Sequence, residues 1–306
     1  MKRLIALALF LPLCAMLAIA GEGRSHRNTV TMNDDSPGDD CAQHLQVYND
    51  DYRASARDEE VRTVPNQPLT ITAEHNGGIQ VTTWDKAEIS LKLCKQASAD
   101  DETTARKVLS NVKLETNGSN VTVSSPDSDN DHSLGTLLMV KAPKGATLDL
   151  SVHNGGISLN GFDGTAKAHA VNGGIALKKS TGTLSVEAQN GGISIKDCSG
   201  DVNANVQNGG LSISLPERWE GKGLDAHTHN GGLVVAVPKT LSTGVEIAGS
   251  EHTSIICKDD ACNGAQRTWD DRQRILRFGA GEALVHATTV NGGVVVESRE
   301  HSRGEL

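Results

Sequence analysis

Two histidines have the arrangement of a metal site or a pH-sensitive patch. His227 and His229 alternate along one expected strand, so both imidazoles would point outward from the same face. Neutral imidazole is a common ligand of zinc and copper. The expected neighbouring strand carries Asn205 and Gln207 at the matching positions, and these amides are poor ligands for such metals. A solvated polar face is the competing interpretation, and we expect no resident cofactor.

Three acidic side chains have the spacing of a calcium loop. Asp127, Asp129 and Asp131 alternate in a polar stretch, and carboxylates so placed can converge on one hard cation. A calcium loop has glycine at its sixth position and a bidentate glutamate at its twelfth, whereas this sequence has His132 and Leu138 there. An exposed acidic loop without metal is therefore the alternative to a calcium site.

One group of neighbouring residues has mixed acid and base character. Glu187 occupies a repeat position beside Lys167 and His169, and enzymes that cleave polysaccharides cluster such groups on one sheet face. Charged residues at these positions are sparse and of mixed sign, and a cross-strand ion pair on a wet sheet explains the trio equally well. We therefore predict no catalytic residue, with a polysaccharide-active enzyme as the alternative.

Other common signatures of chemistry are missing from the sequence. It contains no Gly-x-x-x-x-Gly-Lys phosphate loop, no Ser-centred nucleophile elbow and no His-Glu-x-x-His. The 29 Lys and Arg residues against 38 Asp and Glu give a formal charge of −9. Because nucleic-acid binding needs clustered basic residues that neutralise phosphates, we expect no nucleic-acid partner.

The cysteines fit a disulfide-forming compartment better than a zinc site. Beyond the N-terminal apolar segment the sequence has Cys41, Cys94, Cys198, Cys257 and Cys262. Cys257 and Cys262 flank a short loop and form one expected pair, while Cys41 and Cys94 flank the first repeat and form the other. No Cys-x-x-Cys spacing occurs. This pairing leaves Cys198 without a disulfide partner.

Residues 1–20 are predicted to be a secretory signal peptide. Met-Lys-Arg precedes an apolar run that ends Ala18-Ile19-Ala20, the charged, apolar and small-residue order of such leaders. We place cleavage after Ala20, and lipoprotein processing at Cys14 is the alternative. No later segment has about 18 uninterrupted apolar residues, so no membrane span is expected. We expect an exported protein, located in the periplasm, outside the cell or on its surface.

The composition favours a thin β architecture. Hydrophobic residues make up 37% of the 306 residues, but aromatic residues only 3%. A core with so few rings must be filled by Ile, Leu, Val and Ala in a narrow, regular space. Such a space is typical of layered strands and not of a large rounded domain.

A tripeptide repeat organises the chain. Asn-Gly-Gly occurs seven times, beginning at Asn76, Asn154, Asn172, Asn190, Asn208, Asn230 and Asn291. The four copies from Asn154 to Asn208 keep a constant 18-residue spacing, and the next interval is slightly longer. Apolar residues alternate with polar ones on both sides of each tripeptide, which is the period of two that is typical of strands. Each unit has too few inward residues to fold alone and must pack on its neighbours.

Two arrangements would bury these apolar rows. In a stack of hairpins Asn-Gly would form turns between antiparallel strands, whereas in a solenoid it would form corners between coils that pair in parallel. Identical residues favour the solenoid, because Asn would lie above Asn and their amides would bond along the stack. Both glycines would permit a positive φ and leave room for the neighbouring backbone. The predicted fold class is all-β, a single-stranded parallel β-solenoid (β-helix or β-roll) of 18-residue coils.

We divide the chain into four parts. Residues 1–20 are the signal peptide, 21–60 a polar and partly disordered segment, 61–298 the β-solenoid domain and 299–306 a polar tail. Within the domain, residues 100–112 have helical spacing and predict a short capping helix. The long interval before the last tripeptide predicts a coil that has lost its Asn-Gly-Gly.

The repeat resembles a known bacterial family. The Asn-Gly-Gly-Ile/Leu-x-Ile/Leu units, the opening Leu-x-Ile-x-Ala-x-His-Asn-Gly-Gly-Ile-x-Val-x-x-Trp-Asp of residues 69–85, the inserted helix and the Pro-to-Gly loops are similar to the putative-adhesin family of exported domains of unknown function. The similarity covers roughly residues 65–298. It implies a β-helix or β-roll on the envelope or outside the cell, and it brings no catalytic residues.

These observations predict an exported, non-enzymatic surface or envelope protein that acts as a binding or adhesion module. The expected partner is an unidentified protein or glycan at the envelope. Two alternatives stay open: a polysaccharide-active β-helix enzyme, and a periplasmic partner in envelope signalling or quality control.

Overall fold

The structure, a computed structural model, describes residues 29–32, 38–48, 54–126, 132–258 and 260–299. The predicted signal peptide lies outside the described residues. Two helices occur in the described part, α1 (Cys41–His44) and α2 (Glu102–Ser110). All other regular secondary structure in the described residues is β-strand.

The strands fall into three groups along the chain. Those before the central repeats are β1 (Thr29–Met32), β2 (Leu45–Tyr48), β3 (Ala54–Pro65), β4 (Leu69–Trp84), β5 (Glu88–Ala99), β6 (Lys113–Asn117), β7 (Asn120–Ser124) and β8 (His132–Pro143). Those of the central repeats are β9 (Ala146–Asn154), β10 (Ile157–Asn160), β11 (Asp163–Asn172), β12 (Ile175–Lys178), β13 (Thr181–Asn190), β14 (Ile193–Lys196), β15 (Asp201–Asn208), β16 (Leu211–Ser214), β17 (Gly223–Asn230) and β18 (Leu233–Pro238). The last group is β19 (Gly244–Ser250), β20 (Ile255–Cys257), β21 (Gln266–Trp269), β22 (Gln273–Phe278), β23 (Ala283–Asn291) and β24 (Val294–Arg299).

The predicted single-stranded parallel β-solenoid is wrong. Apart from the separate antiparallel pair β1–β2, the strands join into one large mixed sheet of 22 strands, which is mostly parallel and not closed. Antiparallel pairs occur near both ends, as β3–β5, β5–β8 and β6–β7 on one side and β19–β22 and β21–β22 on the other. The 18-residue period describes only the middle of the chain, and it does not specify how the flanking strands pair.

Two parallel ladders of strands make up the middle of this sheet. Strands β9, β11, β13, β15 and β17, which precede the tripeptides, form the long-strand ladder, and β10, β12, β14, β16 and β18, which follow them, form the short-strand ladder. Equivalent repeat positions pair directly, so Ile175 lies between Ile157 and Ile193. Because equivalent positions pair in register, each inward aliphatic row continues from strand to strand through the core.

The asparagines of the tripeptides form a chain of side-chain hydrogen bonds. The Nδ2 atom of Asn172 donates to Oδ1 of Asn154 at 3.0 Å, and Asn190 donates in the same way to Asn172 at 3.1 Å. The series continues through Asn208 and Asn230 to the last tripeptide. Each amide between the two ends of the series thus serves as donor and acceptor, as the repeat in register requires.

In every tripeptide after the first, close approach of neighbouring backbones requires the first glycine. A Cβ atom at Gly191 would overlap the carbonyl oxygen of Gly173, and one at Gly173 would overlap that of Gly155. None of these three glycines has a positive φ, so the expectation of left-handed backbone there is wrong. Contact between the neighbouring connections that join the strands, and not a left-handed backbone, excludes a side chain at these positions.

The first and last tripeptides lie directly beside the central ones although they are distant in sequence. Strand β4 pairs with β9 and β10, placing Ile79 against Ile157. A register shift between Ala73 and Asn76 interrupts its pairing with β9. Strands β23 and β24 pair with β17 and β18, and β19 and β20 pair outside them. The segments between these strands therefore lie at the two ends of the sheet.

The core is aliphatic along its length and is covered at the N-terminal side by α2. Ala105, Val108 and Leu109 of this helix are buried against the sheet. Asp101 caps the helix, since its carboxylate accepts a hydrogen bond from the backbone N–H of Thr104 at 2.9 Å. This arrangement keeps the end of the apolar core away from solvent.

The structure contains a disulfide between Cys41 and Cys94 and another between Cys257 and Cys262, with Cα–Cα distances of 5.4 and 5.8 Å. Cys198 is a buried free thiol. The first disulfide fastens the N-terminal segment to β5, and the second closes a loop that follows β20. Both lie outside the central repeats.

Candidate functional site

The short-strand ladder and the adjoining part of β4 present an outer surface of mostly small and polar side chains, which we call the short-strand face. Since inward and outward residues alternate, two outward rows run across the strands. The first row contains Gln80, Ser158, Ala176, Ser194, Ser212 and, on β18, Val234. The second row contains Thr82, Asn160, Lys178, Lys196 and Ser214. Neighbouring strands therefore offer nearly the same groups to a partner.

A segment that we call the strap, residues 38–48, covers the N-terminal end of this face. The disulfide to Cys94 holds it, and Leu45 packs against Leu137 and Met139. Asp39 is held twice, because Lys141 forms an ion pair with its carboxylate and Lys92 Nζ donates to its carbonyl oxygen at 2.9 Å. The strap is thus fixed by a covalent bond, apolar contacts and charge.

A pocket of about 320 Å³ lies where the strap meets β4, β8 and β10, and we call it the strap pocket. Its walls include Asp39 of the strap, Lys141 of β8, and Gln80, Thr82 and Trp84 of β4. It opens onto the short-strand face, because Gln80 and Thr82 begin the two outward rows. Pockets of this size, with one aromatic ring and several convergent polar groups, commonly bind small ligands or single ligand residues.

The outer surface of the long-strand ladder, the long-strand face, carries the predicted acid and base trio. Lys167 and His169 of β11 lie beside Glu187 of β13, and His169 Nδ1 is 3.9 Å from Glu187 Oε2. Both side chains are substantially exposed to solvent, at 35% and 59%. The contact is longer than a hydrogen bond, and the pair lies on an open surface and not in a cleft.

The two histidines singled out from the sequence lie on one strand but do not converge. His227 Nδ1 is 2.7 Å from the hydroxyl oxygen of Thr288, and His229 is exposed. Among the described residues, no group of three or more His, Cys, Asp or Glu side chains is placed to hold a metal ion. The predicted calcium ligands Asp127, Asp129 and Asp131 lie outside the described residues.

A second cleft, at the C-terminal end of the sheet, was not predicted from the sequence. It measures about 580 Å³ and is lined by Glu246, Arg277, Glu282 and His286. Arg277 donates from Nε and Nη2 to one oxygen of Glu246, both at 2.7 Å, and His286 Nδ1 is 3.9 Å from the other oxygen. The residues come from β19, β22, β23 and the turn before β23, whose pairing no local pattern in the sequence indicates.

Cys198, a buried free thiol between β14 and β15, is a further candidate nucleophile. Burial raises the pKa of its thiol from 9.0 to about 11, and the thiol donates a hydrogen bond to the carbonyl oxygen of Lys196 at 3.4 Å. A thiol that stays protonated is a poor nucleophile. Cys198 is therefore part of the core and not a reactive site.

Comparison with known proteins identifies no family for this chain but finds several distantly similar solved structures. No family model matches the chain, and no curated protein matches it. A "putative cell adhesion protein" from Clostridium sporogenes is 11% identical, with 80% of this chain and 100% of that chain covered and a TM-score of 0.29. A "putative adhesin" from Bacteroides fragilis is 10% identical, with 79% and 97% covered and a TM-score of 0.33.

A third structure, a "putative lipid binding protein" from Parabacteroides distasonis, is 12% identical, with 79% and 97% covered and a TM-score of 0.34. Sequence identities and TM-scores this low do not indicate a function, so the function must be argued from the residues of this chain. Within the described residues, the helices are too short to cross a bilayer.

Proposed function

We propose that the chain is an exported, non-catalytic binding module of the adhesion type, and that the short-strand face is its binding surface. One observation carries this proposal: from β4 to β16 the outward rows of the face repeat small or polar side chains in register. Successive rows therefore offer similar groups at the strand spacing of about 4.8 Å. Such a surface suits an extended, repetitive partner at the envelope, either a glycan or an extended protein chain.

The arrangement of charged side chains supports binding more than catalysis. A general acid or base acts on a proton within hydrogen-bond reach in a positioned substrate. The trio of Lys167, His169 and Glu187 lies on an open, solvated surface, and its closest His–Glu contact is 3.9 Å. A cross-strand ion pair accounts for this geometry without a reaction.

Two further features support export. Both disulfides would be stable in an oxidising compartment and are unusual in the cytosol. Residues 1–20 have the order of a secretory leader. We expect the protein to appear in the periplasm, in the medium or on the cell surface after fractionation, with the leader removed after Ala20.

Retention on immobilised polymers tests the binding proposal. The chain from residue 21 would be passed over neutral polysaccharides (dextran, mannan), an acidic one (alginate) and gelatin as an extended protein. Ser194→Trp places a bulky ring on the short-strand face and should abolish retention. Ser185→Trp, the matched change on the exposed long-strand face, should leave retention intact.

The same samples test for catalysis. We expect no new reducing ends to form during prolonged incubation with any of these polysaccharides. Reducing ends that form with the parent chain but not with Glu187→Gln would overturn the non-catalytic proposal. Retention that is lost with Ser185→Trp and kept with Ser194→Trp would assign binding to the other face.

A further inference from the structure

The strap pocket is lined by a side-chain amide that forms no hydrogen bond with the described residues. Gln80 is only 7% exposed, yet its side-chain amide makes no hydrogen bond within the part of the chain that the structure describes. Its neighbours across the strands are Met139 and Ser158. Its amide atoms are not among the fully buried unpartnered atoms of the described residues, which belong to Gln96 and His132, so they face the pocket and can bond a ligand that enters it.

The other walls of the pocket limit the chemistry of that ligand. The ammonium of Lys141 and the carboxylate of Asp39 pair with each other, so neither leaves a net charge for an ionic ligand. Gln80 and Thr82 can each donate and accept hydrogen bonds. The imidazole of His44 also lines the pocket, with its Nε2 atom 3.0 Å from a carbonyl oxygen of the strap. Gln80 and Thr82 match hydroxyl groups, which also donate and accept.

Trp84 adds an apolar surface that is held in position. Its Nε1 atom donates to the carbonyl oxygen of Glu88 at 2.7 Å, and the Lys86 ammonium lies 4.8 Å from the ring centroid. A fixed indole that borders a pocket offers an apolar, polarisable area beside the polar groups. The combination suits a molecule with hydroxyl groups around its rim and C–H groups on its faces, which is the chemistry of a sugar ring.

We propose that the strap pocket binds one neutral sugar residue at the end of a glycan. A pocket of about 320 Å³ is near the lower limit for ligand sites, so it has room for one residue and not for an oligosaccharide. The following residues of the glycan would continue along the rows that begin with Gln80 and Thr82. That continuation rests on the binding function proposed above, whereas sugar binding in the pocket does not.

Saturation-transfer NMR with methyl glycosides of glucose, galactose, mannose and N-acetylglucosamine tests the pocket. At least one neutral glycoside should give transfer signals with the chain from residue 21, and Gln80→Leu should weaken its binding about tenfold through loss of the amide hydrogen bonds. Gln207→Leu, an exposed change on the long-strand face, is the matched control and should have no effect.

Thermal unfolding separates binding from a structural role of Gln80. Because the amide has no partner in the described residues, Gln80→Leu should leave the unfolding temperature unchanged or raise it, even as sugar binding weakens. A large fall in the unfolding temperature would show that Gln80 serves the fold. No signal from any neutral glycoside, a stronger signal from methyl glucuronide, or undiminished binding by Gln80→Leu would overturn the proposal.

The two proposals fail in different ways. Polymer retention that persists in Gln80→Leu but is lost in Ser194→Trp would leave the face as the binding surface and remove the pocket. Monosaccharide binding that persists in Ser194→Trp, with no retention of any polymer by the parent chain, would leave the pocket and remove the extended face.

Discussion

The central repeats and the C-terminal end of the sheet are held together by different means. In the centre, aliphatic residues such as Ile175 and Ile193 pair in parallel register and are fully buried. At the C-terminal end, β22 pairs antiparallel with β19 and β21, Arg277 binds Glu246, and a disulfide closes the loop at Cys257. A repeated unit always meets a complementary neighbour, whereas a unit that ends the sheet meets solvent and needs additional bonds.

The largest expected effect comes from placing a charge inside the central repeats. Ile193 is fully buried, so Ile193→Asp would place a carboxylate among aliphatic side chains without a partner. We expect the free energy of unfolding to fall by at least about 4 kcal/mol, as measured by urea denaturation. Ser212→Asp, an exposed change on the neighbouring strand β16 of the same ladder, should alter the free energy of unfolding by less than about 0.5 kcal/mol. Equal unfolding midpoints for the two variants would contradict the assignment of inward and outward rows.

The second effect concerns contact between neighbouring backbones. A methyl group at Gly191 would overlap the carbonyl oxygen of Gly173, so Gly191→Ala must push apart two neighbouring connections between strands. We expect a loss of about 3 kcal/mol in the free energy of unfolding.

Gly210→Ala is the matched control for that change. Gly210 is the second glycine of its tripeptide, and a methyl group there would be 3.7 Å from the nearest atom, the carbonyl oxygen of Gly232. This variant should be as stable as the parent. If both alanine variants lost the same stability, close packing of the first glycines would not explain the repeat.

The third effect should be confined to the C-terminal end. Replacing Cys257 and Cys262 together by serine opens a short loop, for which chain entropy predicts a loss of about 2 kcal/mol. Because the disulfide lies beyond the central repeats, hydrogen exchange should rise in β19–β22 and stay unchanged in β11–β16. Faster exchange throughout the sheet would show that the two regions unfold as one.

The smallest effect is expected at Cys198, inside the central repeats. Ser180 occupies the equivalent position one repeat earlier and donates to the carbonyl oxygen of Lys178, as Cys198 does to that of Lys196. Cys198→Ser should therefore cost less than about 1 kcal/mol in urea denaturation. A loss as large as that of Gly191→Ala would mean that the thiol packs in a way serine cannot reproduce.

The raised pKa of Cys198 adds a pH dependence to the same comparison. The thiol titrates at about 11 when folded and near 9.0 when unfolded, so its contribution to stability is complete below pH 9 and is lost as the pH rises towards 11. Between these values the parent chain should lose more stability than Cys198→Ser. Parallel pH profiles for the two proteins would contradict burial of a neutral thiol.

The sequence predicts local features of this protein well. Alternating residues around Asn172 and Asn190 correctly indicate strands and their inward side, and the amide hydrogen bonds follow from repetition in register. Both cysteine pairs also follow from their positions around short or repeated segments. These features depend on neighbours in sequence or on an exact copy one period away.

The features that the sequence does not predict depend on distant, unlike segments. Strand β4 pairs with β9 and β10 across an inserted helix and several strands, and β23 lies between β17 and β19. Nothing in the 18-residue period specifies such pairings or the antiparallel strands at both ends. The strap pocket was missed for the same reason, since Asp39, Gln80 and Lys141 come from three separate parts of the chain.

The most direct test of the proposed binding surface is chemical-shift mapping. The ¹⁵N-labelled chain from residue 21 would be titrated with whichever neutral polysaccharide retains it. We expect amide shifts at Gln80, Ser158 and Ser194 on the short-strand face, with Ser185 and Glu187 on the long-strand face unchanged. Shifts confined to the long-strand face or to the C-terminal cleft would contradict the proposed function.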